Sequence, residues 1–326
     1  MIRLAMLGCG KVAAAHAKRL RRHKHDVVVG FASRDRARAE AFAREHGGPS
    51  FGTYDEAIDS SAVDAVAIVT PPASHKDLAM KALAAGKHVV LEKPPLPRAA
   101  DFAEIAAAAK GAGKRVFVAE NYFYKPSLRK LQALLADGVV GDVLFVQVNA
   151  IKRQLTSGWR DDATQALGGA LYEGGIHWID FMANLGMEVR AARGLAPGMP
   201  GGFDPLRERS MLVTFDYAGG AVGTLAYSWE VPSTAKGLRL SKIYGKKGTI
   251  TFESNGLWIL VHGTRTRFHV PGLRDLAGYR AMWTDFVRAW REGGDAAFTL
   301  DHARRDLELV EAAYATAALS AAKETP

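Results

Sequence analysis

The sequence predicts an α/β protein with a doubly wound parallel sheet over residues 1–120. An α+β domain with a mainly antiparallel sheet is expected over residues 121–326. Three observations predict this. Short buried-type strands alternate with alanine-rich helical stretches through the first 120 residues. A glycine turn, Gly8-Cys9-Gly10, follows the first of those strands directly. Beyond Glu120-Asn121-Tyr122 the alternation stops, and strands arrive in series with short turns between several of them.

Length and composition set the frame. A chain of 326 residues can bury two cores, and 48% hydrophobic with 24% charged residues is ordinary for a globular protein. One cysteine, Cys9, excludes an intramolecular disulfide and fits a reducing cytoplasm, the expected location. No apolar run approaches the roughly 18 residues of a membrane helix, so no membrane partner is expected. Met6-Leu7-Gly8-Cys9 has the look of a lipidation site. Its charged region is one arginine and its apolar stretch about five residues, too short for export, so it reads as a strand. The net charge of +9 is spread along the chain, its densest cluster lying at residues 18–24, and calls for no nucleic-acid partner.

Residues 2–7 are the first strand, and residues 14–22 continue the glycine turn as helix. Gly8-Cys9-Gly10-Lys11-Val12-Ala13 is the Gly-x-Gly-x-x-Ala form of the dinucleotide fingerprint of Rossmann folds. Its glycines let the backbone approach a pyrophosphate, which sits on the amides of the helix N-terminus. The second strand, residues 26–32, ends in Ser33-Arg34 about 20 residues on, where an NAD site usually places an acid. A hydroxyl and a guanidinium suit a 2′-phosphate, which favours NADP(H) and leaves NAD(H) possible. Arg34 could equally stack on adenine or face solvent. Asp35 is placed to open the next helix, residues 35–46.

Residues 65–69 form a buried strand that breaks at Thr70-Pro71-Pro72-Ala73-Ser74-His75. A helix over residues 76–85, closed by Gly86, leads into the strand Val89-Val90-Leu91 and then Glu92-Lys93-Pro94. Pro94 cannot extend a ladder, so Lys93 falls at the strand's carboxyl edge, where open parallel sheets bind ligands. A surface lysine capping the strand is the plain alternative. A helix at 99–112 and a strand at 115–119 complete this part.

In the second part a helix (127–137) precedes strands at 142–151, 210–217, 221–230, 239–244, 248–253 and 257–261, and helices at 276–291 and 302–322 close the chain. Between the first two strands lies Gly168-Gly169-Ala170-Leu171-Tyr172-Glu173-Gly174-Gly175-Ile176-His177-Trp178-Ile179-Asp180. If helical from Leu171, it sets Glu173, His177 and Asp180 on one face. The two glycines before His177 would let something approach the helix closely, at a cost in helix propensity. A histidine satisfied by its neighbours is the plain reading of His177. A metal would need a second His or Cys group, so none is expected.

Taken in order and spacing, the fingerprint, Thr70-Pro71, Glu92-Lys93-Pro94 and the stretch from Gly168 to Asp180 resemble the glucose–fructose oxidoreductase/inositol dehydrogenase (Gfo/Idh/MocA) family. The resemblance covers essentially the whole chain. It implies a nicotinamide-dependent dehydrogenase or reductase acting on a CH–OH group of a sugar, cyclitol or related polyol. By the same resemblance Lys93 and His177 match the catalytic pair, while Glu173, Asp180, Tyr122, Trp159 and Arg160 lie toward substrate. The cofactor would be held by Gly8, Gly10, Lys11, Val12, Ser33, Arg34, Thr70, Pro71, His75, Glu92, Lys93 and Asn121. Two departures stand out: Leu167 occupies the first place of a customary glycine triplet, and Glu173 replaces an aspartate. Relatives pair through the second domain's sheet, which implies a homodimer or homotetramer; Ala221 to Trp229 alternates apolar and small residues suited to such packing. A non-catalytic NADP-binding sensor on the same fold is the competing reading.

Overall fold

The computed structural model describes residues 1–198, 202–233 and 237–323. The chain forms two compact units, Met1–Glu120 with Tyr279–Arg304, and Asn121–Gly278 with Arg305–Pro326. A cut near residue 120 is present, but a single cut does not describe the chain, because residues 279–304 return to the first unit.

The first unit holds six parallel strands: β1 (Ile2–Leu7), β2 (Val27–Ala32), β3 (Ser50–Phe51), β4 (Ala65–Ile68), β5 (His88–Leu91) and β6 (Val116–Val118). Their order is β3-β2-β1-β4-β5-β6, so the sheet winds both ways from β1. Between them run α1 (Lys11–Leu20), α2 (Arg36–His46), α3 (Tyr54–Asp59), α4 (His75–Ala84) and α5 (Asp101–Ala112). Ala65 to Ile68 and Val89 to Leu91 are buried throughout, as expected of strands covered on both faces. The returning segment carries α9 (Tyr279–Glu292), whose Phe286 stacks on Phe117 of β6 at 4.9 Å.

The second unit begins with α6 (Pro126–Ala136) and contains an eight-stranded sheet. Its strands are β7 (Val143–Ile151), β8 (Val189–Leu195), β9 (Ser210–Tyr217), β10 (Val222–Ser228), β11 (Leu240–Gly245), β12 (Gly248–Glu253), β13 (Ile259–His262) and β14 (Arg267–His269). The order is β14-β13-β12-β11-β7-β10-β9-β8. Every neighbouring pair is antiparallel except β7 and β10, which run parallel with Val146 opposite Gly223. The long excursion between β7 and β8, holding α7 (Ala163–Ala166) and α8 (Ile176–Ala183), allows that exception.

One face of this sheet is core. Val146, Val148, Phe215, Leu225, Ile250 and Phe252 are buried, Phe181 of α8 lies 5.9 Å from Phe252, and Tyr217 donates to the Met182 carbonyl at 3.0 Å. The opposite face leaves Phe145, Leu212, Val222 and Leu240 exposed. The chain ends in α10 (Leu300–Lys323). Among the described residues no helix is long and apolar enough to cross a membrane.

Candidate active site

In the first unit the chemistry gathers where parallel strands end. Gly8 follows β1 with φ +115°, and a side chain there would press on the Val69 carbonyl at 3.0 Å. Gly10 precedes α1 in an extended conformation, and a Cβ built on it meets nothing within 4 Å. The first turn of α1, starting with Lys11 and Val12, has neither a capping side chain nor an acid. No side chain of that turn takes up its amides or opposes an anion there, as a bound pyrophosphate requires. A dinucleotide fits the residues present.

At the end of β2, Ser33 is buried and its hydroxyl accepts from the Asp35 amide at 3.2 Å, while Asp35 caps α2 by accepting from the Arg38 amide. Arg34 is exposed and hydrogen-bonds Tyr54, whose hydroxyl burial pushes above the usual phenol range against the opposing effect of that guanidinium. Arg38 donates from Nε to the Cys9 carbonyl at 2.7 Å, which ties α2 to the glycine turn. Sequence reasoning missed Arg38. Its signal was an arginine one turn into the helix after β2.

The breaks after β4 and β5 are clasped by His75. Its Nε2 faces the Thr70 carbonyl and its Nδ1 the Pro94 carbonyl, each at 2.9 Å. Only an imidazolium would satisfy both oxygens, yet burial pulls this histidine's pKa down, so near neutrality it donates to one of them. His75 thus bonds one of the two loops and lies against the other. Thr70 and Pro71 stay partly accessible, and the Thr70 hydroxyl accepts from Ser74 at 2.7 Å.

Glu92 lies buried directly before Lys93, which is half-buried. Glu92 Oε1 meets His16 Nε2 at 2.8 Å, and Oε2 accepts from the Lys93 amide at 2.8 Å. Burial acts to raise this carboxyl's pKa, but His16, foremost through its hydrogen bond, and behind it Lys93 outweigh burial and hold Glu92 below the usual carboxylate range.

The second unit carries its own polar cluster. Residues Leu171–Gly175 wind as a wide π-turn before α8 begins at Ile176. The even spacing expected of Glu173, His177 and Asp180 is therefore broken between the first two. The widening follows from packing, because a Cβ on Gly174 would collide with the Tyr227 hydroxyl and one on Gly175 would strike Leu171 and Tyr227. What approaches the two glycines is β10. Leu167, in the glycine place, closes α7 at φ +62°, a strained conformation for a branched side chain.

His177 is half-buried and stacks on Tyr122 with centroids 4.4 Å apart and planes 12° from parallel. Tyr122 meets Trp178 edge-on at 5.2 Å, and the Lys125 ammonium lies 4.4 Å from the Tyr122 centroid. Glu173 is buried and takes both Nε and Nη2 of Arg160 at 3.1 and 3.0 Å; Arg160 in turn covers Trp159 at 4.5 Å. Asp180 has no exposed surface, and its Oδ1 accepts from Asn184 at 2.6 Å. Asn121 is buried and donates to the Ala277 carbonyl.

Glu208, just ahead of β9, gave no signal in the sequence. It accepts the Leu171 amide at 2.8 Å and the Tyr314 hydroxyl at 3.2 Å, while its own carbonyl accepts from Ala170 at 2.8 Å. It therefore fastens the start of the segment that bears Glu173 and His177. Burial pushes its pKa up to about 7. Among the described residues no group of three or more His, Cys, Asp and Glu is placed to hold a metal.

A doubly wound sheet with an open glycine turn at its carboxyl edge, joined to a unit with a largely antiparallel sheet, defines a dinucleotide-binding α/β protein of two units. Residues 2–120 match the oxidoreductase family with an NAD-binding Rossmann fold, and residues 128–251 match the Gfo/Idh/MocA C-terminal domain. The chain belongs to the Gfo/Idh/MocA family of NAD-binding oxidoreductases. It is 32% identical over 187 residues to a glucose-6-phosphate 3-dehydrogenase of Bacillus subtilis, a match spanning 56% of this chain and only 53% of that protein. It is 30% identical over 257 residues to the trans-1,2-dihydrobenzene-1,2-diol dehydrogenase of Mus musculus, covering 76% of this chain and 73% of that one. The solved structure of an oxidoreductase from Thermotoga maritima superposes with a TM-score of 0.84 at 27% identity, covering 97% of both chains.

Proposed function

We propose that the chain is a nicotinamide-dependent dehydrogenase or reductase acting on a hydroxyl-bearing carbon of a sugar, cyclitol or related polyol. The observation that carries this reading is Lys93, half-buried at the end of β5 and fixed beside the anchored Glu92, on the sheet edge that also holds the open glycine turn. The relatives' names, a sugar-phosphate dehydrogenase and a diol dehydrogenase, support the substrate class.

When bound, the nicotinamide cofactor supplies hydride chemistry. Lys93 takes the proton of the reacting hydroxyl in the oxidative direction and returns it in the reductive one. His177, braced flat against Tyr122, is the residue that the family resemblance pairs with Lys93 as catalytic. The Arg160–Glu173 pair fixes one wall of the substrate side. Lys93→Met keeps the stem and removes the proton carrier, so the chemical step should fall by about 10²–10⁴ with cofactor affinity nearly intact. A variant that turns over like the parent removes Lys93 from the mechanism, and one that no longer binds cofactor makes it a binding residue.

Within this reading NADP(H) is the favoured cofactor. The support is Ser33-Arg34 where an acid would select NAD, with the Arg38 guanidinium anchored beside the turn. Arg34→Ala should weaken NADP(H) binding far more than NAD(H) binding in parallel titrations. Equal losses, or a parent that prefers NAD, would reverse the assignment. The exposed sheet face around Phe145, Val222 and Leu240 is assigned to a homodimer or homotetramer, and a monomer in sedimentation at micromolar concentration would refute it.

A further inference from the structure

We propose that His16 is a positioning residue for Lys93: held by Trp283, it fixes the Glu92 carboxylate and through it the backbone that presents the lysine. This rests on the reading of Lys93 as proton carrier.

The directions of the hydrogen bonds can be derived. An indole N–H only donates. Trp283 Nε1 donates to His16 Nδ1 at 3.0 Å, so Nδ1 carries no proton. The ring proton is therefore on Nε2, 2.8 Å from Glu92 Oε1, and is donated to it. Glu92 Oε2 then accepts the Lys93 amide. The result is a chain of three bonds from α9 through α1 to the end of β5, each with one permitted direction.

The chain is sealed. His16 and Trp283 are each 1% exposed and Glu92 7%. The imidazole stands edge-on to Tyr279 at 5.5 Å and to Trp283 at 5.4 Å, with planes 78° and 83° apart. Arg19 covers the Tyr279 ring at 4.3 Å. Turning the imidazole over would break both of its bonds. A buried carboxylate with no donor on Oε1 would protonate or move, and the adjacent amide of Lys93 would move with it. A histidine kept only for packing would have no need of these partners. It bonds a residue 267 positions away on one side and the Glu92-Lys93 pair on the other. The helix that opens the dinucleotide turn is the same helix that carries His16, so the cofactor side and the lysine are set by one element.

The test uses His16→Leu, His16→Gln and Trp283→Phe in the full chain, each also combined with Lys93→Met, with thermal unfolding to establish that each variant folds. His16→Leu should lower kcat by about tenfold to a hundredfold, the size expected of a displaced reacting group, with little change in cofactor KM. His16→Gln, whose amide can both accept from Trp283 and donate to Glu92, should restore most of the loss. In the Lys93→Met background His16→Leu should add nothing, because it acts through the lysine. The emission of bound NADPH gives a second readout that needs no turnover: His16→Leu should alter it and His16→Gln should return it. If His16→Leu does not fold, Trp283→Phe carries the test, with a severalfold loss of kcat that vanishes when Lys93 is already Met. Parental kcat and emission in a folded His16→Leu, or losses that multiply with Lys93→Met, overturn the proposal. Failure of the underlying reading is separate, since it shows in Lys93→Met alone.

Discussion

Two buried glutamates, one in each unit, respond to burial in opposite ways. Glu92 is surrounded by donors that require its negative charge: an imidazole N–H, a peptide N–H and the neighbouring Lys93. It is held below the usual carboxylate range although burial acts against it. Glu208 also accepts two bonds, from the Leu171 amide and the Tyr314 hydroxyl. Burial nevertheless carries its pKa up to about 7; Glu230 adds to the rise and Arg209 opposes it only weakly. Burial alone does not decide the charge of a carboxyl. A fixed donor on each oxygen and a cation at hand do. The first arrangement suits a group that must stay anionic beside a proton carrier, and the second suits a helix start that can do without a charge.

The largest effect that would sharpen this contrast is in the pH dependence of stability. The folded chain binds the Glu208 proton more tightly than the unfolded chain, in which a glutamate titrates at its ordinary value of 4.5. Stability owed to Glu208 is therefore complete below about pH 4.5 and lost as pH rises to about 7, an amount of about 3 kcal/mol. Glu208→Gln should flatten that decline in urea unfolding measured across the interval. For Glu92 the sign reverses: its contribution is present above the unfolded value and lost as the solution is acidified through its lower folded value, so Glu92→Gln should lower stability near neutrality and flatten the decline on the acid side. A Glu208→Gln curve that keeps the parental decline between pH 4.5 and 7 would break the comparison.

A smaller effect concerns the scaffold of the Glu208 site. A Cβ on Gly169 would collide with the Glu208 carbonyl and crowd its side chain. Gly169→Ala should therefore cost about 2 kcal/mol and loosen the cap at Leu171. Faster exchange of the Leu171 amide in hydrogen-exchange measurements would register it. No such exchange change is expected from Gly10→Ala, where a Cβ meets nothing within 4 Å.

The parallel sheet was legible in the sequence because its strands are buried on both faces and bounded by Gly and Pro, a signal that needs no partner to read. The turn at Gly8 to Gly10 and the position of Lys93 came from the same local rules. What escaped was non-local. β8, Val189-Arg-Ala-Ala-Arg-Gly-Leu195, has two arginines and no firm alternation, and it is a strand because β9 lies beside it. The parallel pairing of β7 with β10 is set by a long excursion, which spacing within either strand cannot show. The π-turn at Leu171–Gly175 answers to Tyr227, more than 50 residues on. His16 did leave a trace: Ala13, His16, Ala17 and Leu20 form the inward stripe of α1, with one polar member. A lone histidine in an apolar stripe asks for partners, but only the fold could name Glu92 and Trp283.

The return of residues 279–304 to the first unit also bears on how the chain is made. When residue 120 leaves the ribosome, every strand of the parallel sheet has been synthesised, yet Trp283 and Phe286 are more than 150 residues away. At ordinary rates of translation that gap lasts on the order of ten seconds. Through that interval the His16 imidazole has no tryptophan to fix its tautomer, and Phe117 lacks the ring that stacks on it. The nucleotide-binding unit is therefore complete only once residues 279–304 have been made, long after its last strand.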